Sequence, residues 1–233
     1  MDNDNFTISS WSGGKDSILA CYKAIKAGEN VKYLLNFVSK EYRRTCFHGI
    51  EADLLRLQTE LSGIPLVQKE VSSDLNKYET EFKQAVVALK NKGAKKMVFG
   101  DIYLDEHKQW VTRVCSELNI EAIEPLWKKT PEDVVDEFIK AGFKAIVVSC
   151  NSKFLDKDFI GRPINKELIS YLKKRGICPC GENGEFHTFV LSGPLFKTEI
   201  EITKSRIVSK KGYGKYWFLD IQEYKSQKKE KRQ

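Results

Sequence analysis

A chain of 233 residues with 41% apolar content is long enough for one full α/β domain and a smaller appendage. The formal net charge of +7 is local: residues 225–233 hold five cations against one glutamate, so the other 224 residues carry only +3, which argues against a nucleic-acid partner for the body. No run approaches the roughly 20 uncharged apolar residues of a membrane span, and Met1–Asn5 is polar and acidic rather than leader-like, so a cytoplasmic protein with no membrane partner is expected.

Through the first 150 residues, apolar runs of strand length alternate with helical patterns. This argues for repeated βα units and a doubly wound parallel sheet of the Rossmann-like kind. The runs predict strands over Phe6–Ser10, Val31–Val38, Pro65–Val71, Met97–Gly100, Glu121–Glu124 and Lys144–Ser149. Between them, Ile18, Tyr22 and Ile25 mark a first helix closed by Gly28. Ile50, Leu54, Leu57 and Leu61 mark a second, ending near Gly63. Tyr78, Phe82, Ala85 and Leu89 mark a third, and Trp110, Val114 and Leu118 a fourth. In the fifth, Thr130 is the N-cap and Pro131 the first helical residue, with Val134, Val135 and Phe138 facing inward.

After Cys150 the texture changes. A loop, a helix over Asn165–Lys174 and alternating strands over Lys197–Thr203 and Tyr216–Tyr224 predict a smaller C-terminal α+β domain. The expected organisation is therefore 1–150, 151–224 and a frayed basic tail over 225–233. The six cysteines are scattered and read as reduced thiols. Cys178-Pro-Cys180 lacks the second cysteine pair or spaced histidines that a zinc site needs.

The strand Phe6–Ser10 runs into Ser12-Gly13-Gly14-Lys15-Asp16-Ser17 and then a helix, the geometry for holding phosphate on backbone N–H groups at a helix N-terminus. Gly13 and Gly14 admit the anion, Ser10, Ser12 and Ser17 flank it with hydroxyls, and Lys15 supplies a point charge. A carboxylate beside phosphates is repulsive unless a cation lies between them, so Asp16 is assigned to Mg²⁺. The spacing is not that of a Walker loop. With the first strand central, the run ending Gly100-Asp101 becomes its neighbour at the ligand-binding crevice, although a simple turn there stays open. His48 lines either the nucleotide or the substrate side, or else caps or packs. Gly181-Glu182-Asn183-Gly184-Glu185-Phe186-His187-Thr188 crowds carboxylates, an amide, an imidazole and a hydroxyl around two glycines, which suits a binding loop.

The loop S-G-G-K-D-S resembles the PP-loop of the ATP pyrophosphatases, which implies cleavage between the α- and β-phosphates to give AMP and pyrophosphate. With Gly100-Asp101, Pro125-Leu126-Trp127, Cys180 through Phe189 and Pro194-Leu195-Phe196-Lys197, the chain is similar from Phe6 to Lys197 to the diphthine-ammonia ligase family. The resemblance implies that ATP and ammonium amidate a carboxylate, that of diphthine, a modified histidine of elongation factor 2 which carries a quaternary ammonium group. In that reading Lys15, Asp16, Glu182, Glu185 and His187 are catalytic, and Gly181, Asn183, Gly184 and Thr188 bind the acceptor. One departure matters: the family reads E-G-G-E-[FY]-E-[TS] here, and this chain has Asn183 and His187 in place of a glycine and a glutamate. That form resembles a prokaryotic sibling branch linked to corrinoid salvage. A PP-loop tRNA-modifying enzyme and a non-catalytic adenine-nucleotide sensor are the rival readings, and a homodimer is compatible with any of them.

Overall fold

The computed structural model describes residues 5–45, 48–72, 75–212 and 214–229. The chain divides into two compact units: Met1–Ser12, Asp16–Cys46 and Ile64–Lys129 form the first, and Gly13–Lys15, Phe47–Gly63 and Thr130–Gln233 the second.

The first unit holds strands β1 (Phe6–Ser10), β2 (Val31–Ser39), β3 (Leu66–Val71), β4 (Ala94–Val98) and β5 (Glu121–Ile123). They form one parallel sheet in the order β3-β2-β1-β4-β5. Strand β1 is thus central, with β2 and β4 on its two sides, and the winding reverses at its carboxyl end. Strand β4 starts three residues before the apolar run suggests. Lys95 and Lys96 interrupt the pattern there, and Lys96 sends its ammonium 2.9 Å from Glu29 at the surface. Alternate residues Phe6 and Ile8, Leu35 and Phe37, and Met97 share one sheet face. Helices α3 (Leu75–Lys90) and α4 (Asp105–Leu118) cover that face with Phe82, Val86, Leu89, Val111 and Val114. Full burial of such side chains stabilises by about 1.5–3 kcal/mol each. Helix α1 (Lys15–Lys26) follows β1 with Asp16 in its first turn and Lys23 and Lys26 in its last, matching the helix dipole.

The second unit is built on an antiparallel sheet of β6 (Lys144–Asn151), β7 (Phe186–Ser192), β8 (Glu199–Gly212) and β9 (Gly214–Gln227), in the order β7-β6-β9-β8. It also contains α2 (Ala52–Ser62), α5 (Pro131–Lys140) and α6 (Lys166–Lys174). The Thr130 hydroxyl accepts the Asp133 N–H at 3.1 Å, and Asn165 caps α6 by accepting from the Leu168 N–H at 2.9 Å.

Two expectations are corrected here. Strand β6 is not a sixth parallel strand: Ala145 faces Val190 of β7 and Cys150 faces Trp217 of β9, both antiparallel. A continuous apolar run reports burial on both faces and says nothing about the direction of its neighbours, so α5 and β6 join the second unit and the boundary falls at Lys129, not Cys150. Likewise, Lys225–Gln227 belongs to β9, where Lys225 faces Glu201 of β8 with an ion pair of 3.2 Å. Of the expected tail, Glu230–Gln233 lies outside the described residues.

Candidate functional site

In the first unit, the chain leaves β1 through Ser10, Trp11 and Ser12. Trp11 is buried; its N–H donates to the Leu35 carbonyl at 2.9 Å and its carbonyl accepts from the Asn36 amide at 2.7 Å. Those bonds hold the strand end before the loop begins. The Ser12 N–H donates to the Ser17 hydroxyl at 3.3 Å, and the two hydroxyls lie 3.1 Å apart. Gly100, just past β4, comes so close to the first turn of α1 that a Cβ there would stand 2.9 Å from the Asp16 carbonyl carbon and from the Ser17 nitrogen. The close approach at Gly100 is thus onto the helix backbone itself. Asp101 accepts or shares a proton with His107 Nδ1 at 2.9 Å, a partner that sequence reasoning did not select.

In the second unit, Gly13–Lys15 runs along β7. The Val190 N–H donates to the Gly13 carbonyl at 3.0 Å, and the Lys15 N–H donates to the Thr188 hydroxyl at 3.1 Å. Gly13 has φ 83°, and a Cβ on it would meet Leu55 at 2.6 Å; one on Gly14 would meet the His48 ring at 2.6 Å. Lys15 is not turned to solvent. It is buried, with Nζ donating to the Cys180 carbonyl and standing 5.5 Å from the Phe186 ring centre. A four-carbon stem can reach the glycine-rich motif only because that motif folds over it. Gln58 is a second finding that the sequence did not single out. Its amide donates to the carbonyls of Gly13 at 3.1 Å and Val190 at 2.7 Å, fully buried on α2. The available signal was a polar residue on the apolar stripe of Leu54 and Leu61.

The motif loop is closed on itself. Glu185 is buried, and its carboxylate accepts from the Asn183 N–H at 2.9 Å, the Asn183 amide at 3.0 Å and the Cys178 N–H at 3.4 Å. Gly181 has φ 72° and would place a Cβ 2.5 Å from the Phe186 carbonyl, so the turn requires glycine; Gly184 follows at φ 78°. Asn183 is exposed apart from these bonds, and Glu182 is half-buried. Next to the loop, the rings of His48 and His187 lie 4.8 Å apart. His48 Nδ1 stands 2.9 Å from the Thr188 carbonyl; a carbonyl only accepts, so Nδ1 carries the proton and Nε2 presents a lone pair. Burial pushes the His48 pKa down to about 4, with the Lys15 charge adding to the effect. His187 is held well below the usual histidine range by burial, then by His48 and Lys15. Both imidazoles are therefore neutral at pH 7, beside one cation. The imidazole pair thus adds no charge beside the Lys15 ammonium.

Residues 6–122 match the model of the diphthamide synthase N-terminal domain, and residues 130–231 match that of the diphthamide synthase C-terminal domain. The chain is 29% identical over 226 residues to a diphthine–ammonia ligase of Bos taurus, covering 85% of this chain and 83% of that one. To the Homo sapiens protein of the same name it is 29% identical over 225 residues, covering 84% and 82%. To that of Schizosaccharomyces pombe it is 25% identical over 217 residues, covering 84% of this chain but 36% of the longer relative. With both family domains matched in order along its length, the chain belongs to the diphthamide synthase family.

Proposed function

We propose that this chain is an ATP-dependent ligase that adenylates the carboxylate of diphthine on elongation factor 2, releases pyrophosphate, and transfers ammonia to the acyl adenylate. The reading is carried by the loop Ser12–Ser17 at the carboxyl end of the central strand of a parallel sheet, where the winding reverses. The names of the relatives supply the acceptor.

In this reading the loop N–H groups and the hydroxyls of Ser12 and Ser17 hold the phosphates at the start of α1. Lys15, desolvated, acts on them through a stronger field than it would in water. The acceptor carboxylate oxygen bonds to the α-phosphorus as the bond to the pyrophosphate oxygen breaks. The ammonia lone pair then attacks the acyl carbon, AMP leaves with the C–O electrons, and the surplus proton is released to water. Magnesium fits as part of the nucleotide. Asp16 is the one carboxylate within the loop and would hold an ion that takes most of its ligands from phosphates and water. When bound, such an ion neutralises phosphate charge.

The test is incubation with α-labelled ATP, ammonium and diphthine-bearing elongation factor. Label is expected in AMP, and label in ADP would refute the reaction class. Because His187 replaces a family glutamate, the acceptor is tested separately, by complementing a cell that lacks its own diphthamide synthase. Failure to rescue by a chain that still forms AMP would move the acceptor away from diphthine.

A further inference from the structure

The turn after β5 carries a cluster that the mechanism above does not use. The Phe99 N–H donates to the Ile123 carbonyl at 2.9 Å, so Glu124 stands beside Phe99–Asp101 at the carboxyl end of the parallel sheet. The Glu124 side chain is 5% exposed. One of its oxygens is paired with the Lys108 ammonium; the other accepts no hydrogen bond among the described residues. The same ammonium lies 5.6 Å from the centre of the Trp127 ring. The turn is pinned by the Trp127 N–H to the Glu124 carbonyl at 3.2 Å and by the Lys128 N–H to the Ile102 carbonyl at 2.8 Å.

A desolvated carboxylate and an indole face that meet on one ammonium have the composition of a site for organic cations. Lys108 is 37% exposed, so it can swing to water on its flexible stem. A carboxylate buried only for stability is expected to have both oxygens satisfied. We infer that Glu124 and Trp127 form a subsite for an alkylammonium group on the acceptor, which Lys108 fills when the acceptor is absent. The inference rests on the ligase reading and deepens it. Strands β1, β4 and β5 are neighbours in the sheet, so the ends of β1 and β5 lie about 10 Å apart. The Glu124 side chain and a short acid bearing an ammonium group span that gap together. In the motif loop of the second unit, the Glu185 carboxylate is bonded within the loop.

The experiment titrates the full chain with tetramethylammonium chloride against sodium chloride at matched ionic strength, following the Trp127 indole N–H resonance, assigned by Trp127→Phe. Lys108→Met vacates the subsite, so its indole signal is expected to shift saturably at about tenfold lower concentration than in wild type. Lys108→Met combined with Glu124→Gln keeps the volume while removing both charges, which keeps the fold, and is expected to lose that response. No saturable shift in Lys108→Met, or an equal one in the double variant, overturns the inference and leaves Lys108 and Glu124 a structural pair. No nucleotide is present, so this result is separate from AMP formation: cation binding can fail in a chain that still cleaves ATP, and the reverse would sink the ligase reading alone.

Discussion

Replacing Gly100 by alanine tests whether the first turn of α1 is the phosphate cradle. The added Cβ would stand 2.9 Å from the Asp16 carbonyl carbon and the Ser17 nitrogen and 3.1 Å from the Asp16 oxygen. Ordinary contact begins near 3.5 Å, so the helix backbone must retreat by about 0.6 Å, and being backbone it cannot rotate away. Overpacking of this kind costs about 1–3 kcal/mol, which for a chain of this length lowers Tm by roughly 2–12 °C. The shift falls on Asp16 and Ser17, which the proposed function places at the phosphates, and a misplacement approaching 1 Å costs on the order of a hundredfold in rate. Pyrophosphate release from ATP should therefore fall about a hundredfold, measured at a temperature where circular dichroism shows the variant folded. Wild-type turnover by a folded Gly100→Ala variant would refute the claim that this turn holds the phosphates.

Three further outcomes follow from the geometry. Asp16→Asn should abolish AMP formation with Tm unchanged, whereas Lys15→Ala should abolish it and also lower Tm, because that side chain is buried against Cys180 and Phe186; a Lys15→Ala protein of full stability would contradict the burial. Gln58→Leu leaves the Val190 carbonyl without its amide donor and should destabilise by about 1–3 kcal/mol in urea unfolding, with weaker ATP binding because Gly13 is freed as well. Since the folded state lowers the His48 pKa from 6.5 to about 4, its contribution is complete above pH 6.5 and is lost as pH falls toward 4, by about 2 kcal/mol at pH 5. His48→Asn, which keeps a donor for the Thr188 carbonyl, should make the unfolding profile between pH 7 and 5 shallower, with the His187 contribution remaining, and an unchanged profile would show that His48 is not a titrating group.

The sequence by itself determined the local features: the glycine loop between a buried strand and a helix, five strands of the parallel sheet, the Thr130 cap, and the glycines after α1 and α2. Each rests on a periodicity of 2 or 3.6 or on a backbone conformation that few residues adopt, and both are written in short stretches of chain. Tertiary structure alone decided the partners. The apolar run within Lys144–Ser149 reports a buried strand but not that its neighbours run antiparallel. A lysine in a glycine loop gives no sign of its burial until Cys178–Phe186 closes over it, and Glu185 shows only as a carboxylate in a glycine-rich motif until the Asn183 and Cys178 N–H groups bond to its oxygens. Gln58 and Glu124 look like ordinary helix and strand-end residues; what distinguishes them is burial against groups up to 132 positions away for Gln58 and 16 for Glu124. The hydrogen bonds and ion pairs that assign a polar side chain its role are made across the fold, so no local pattern carries them.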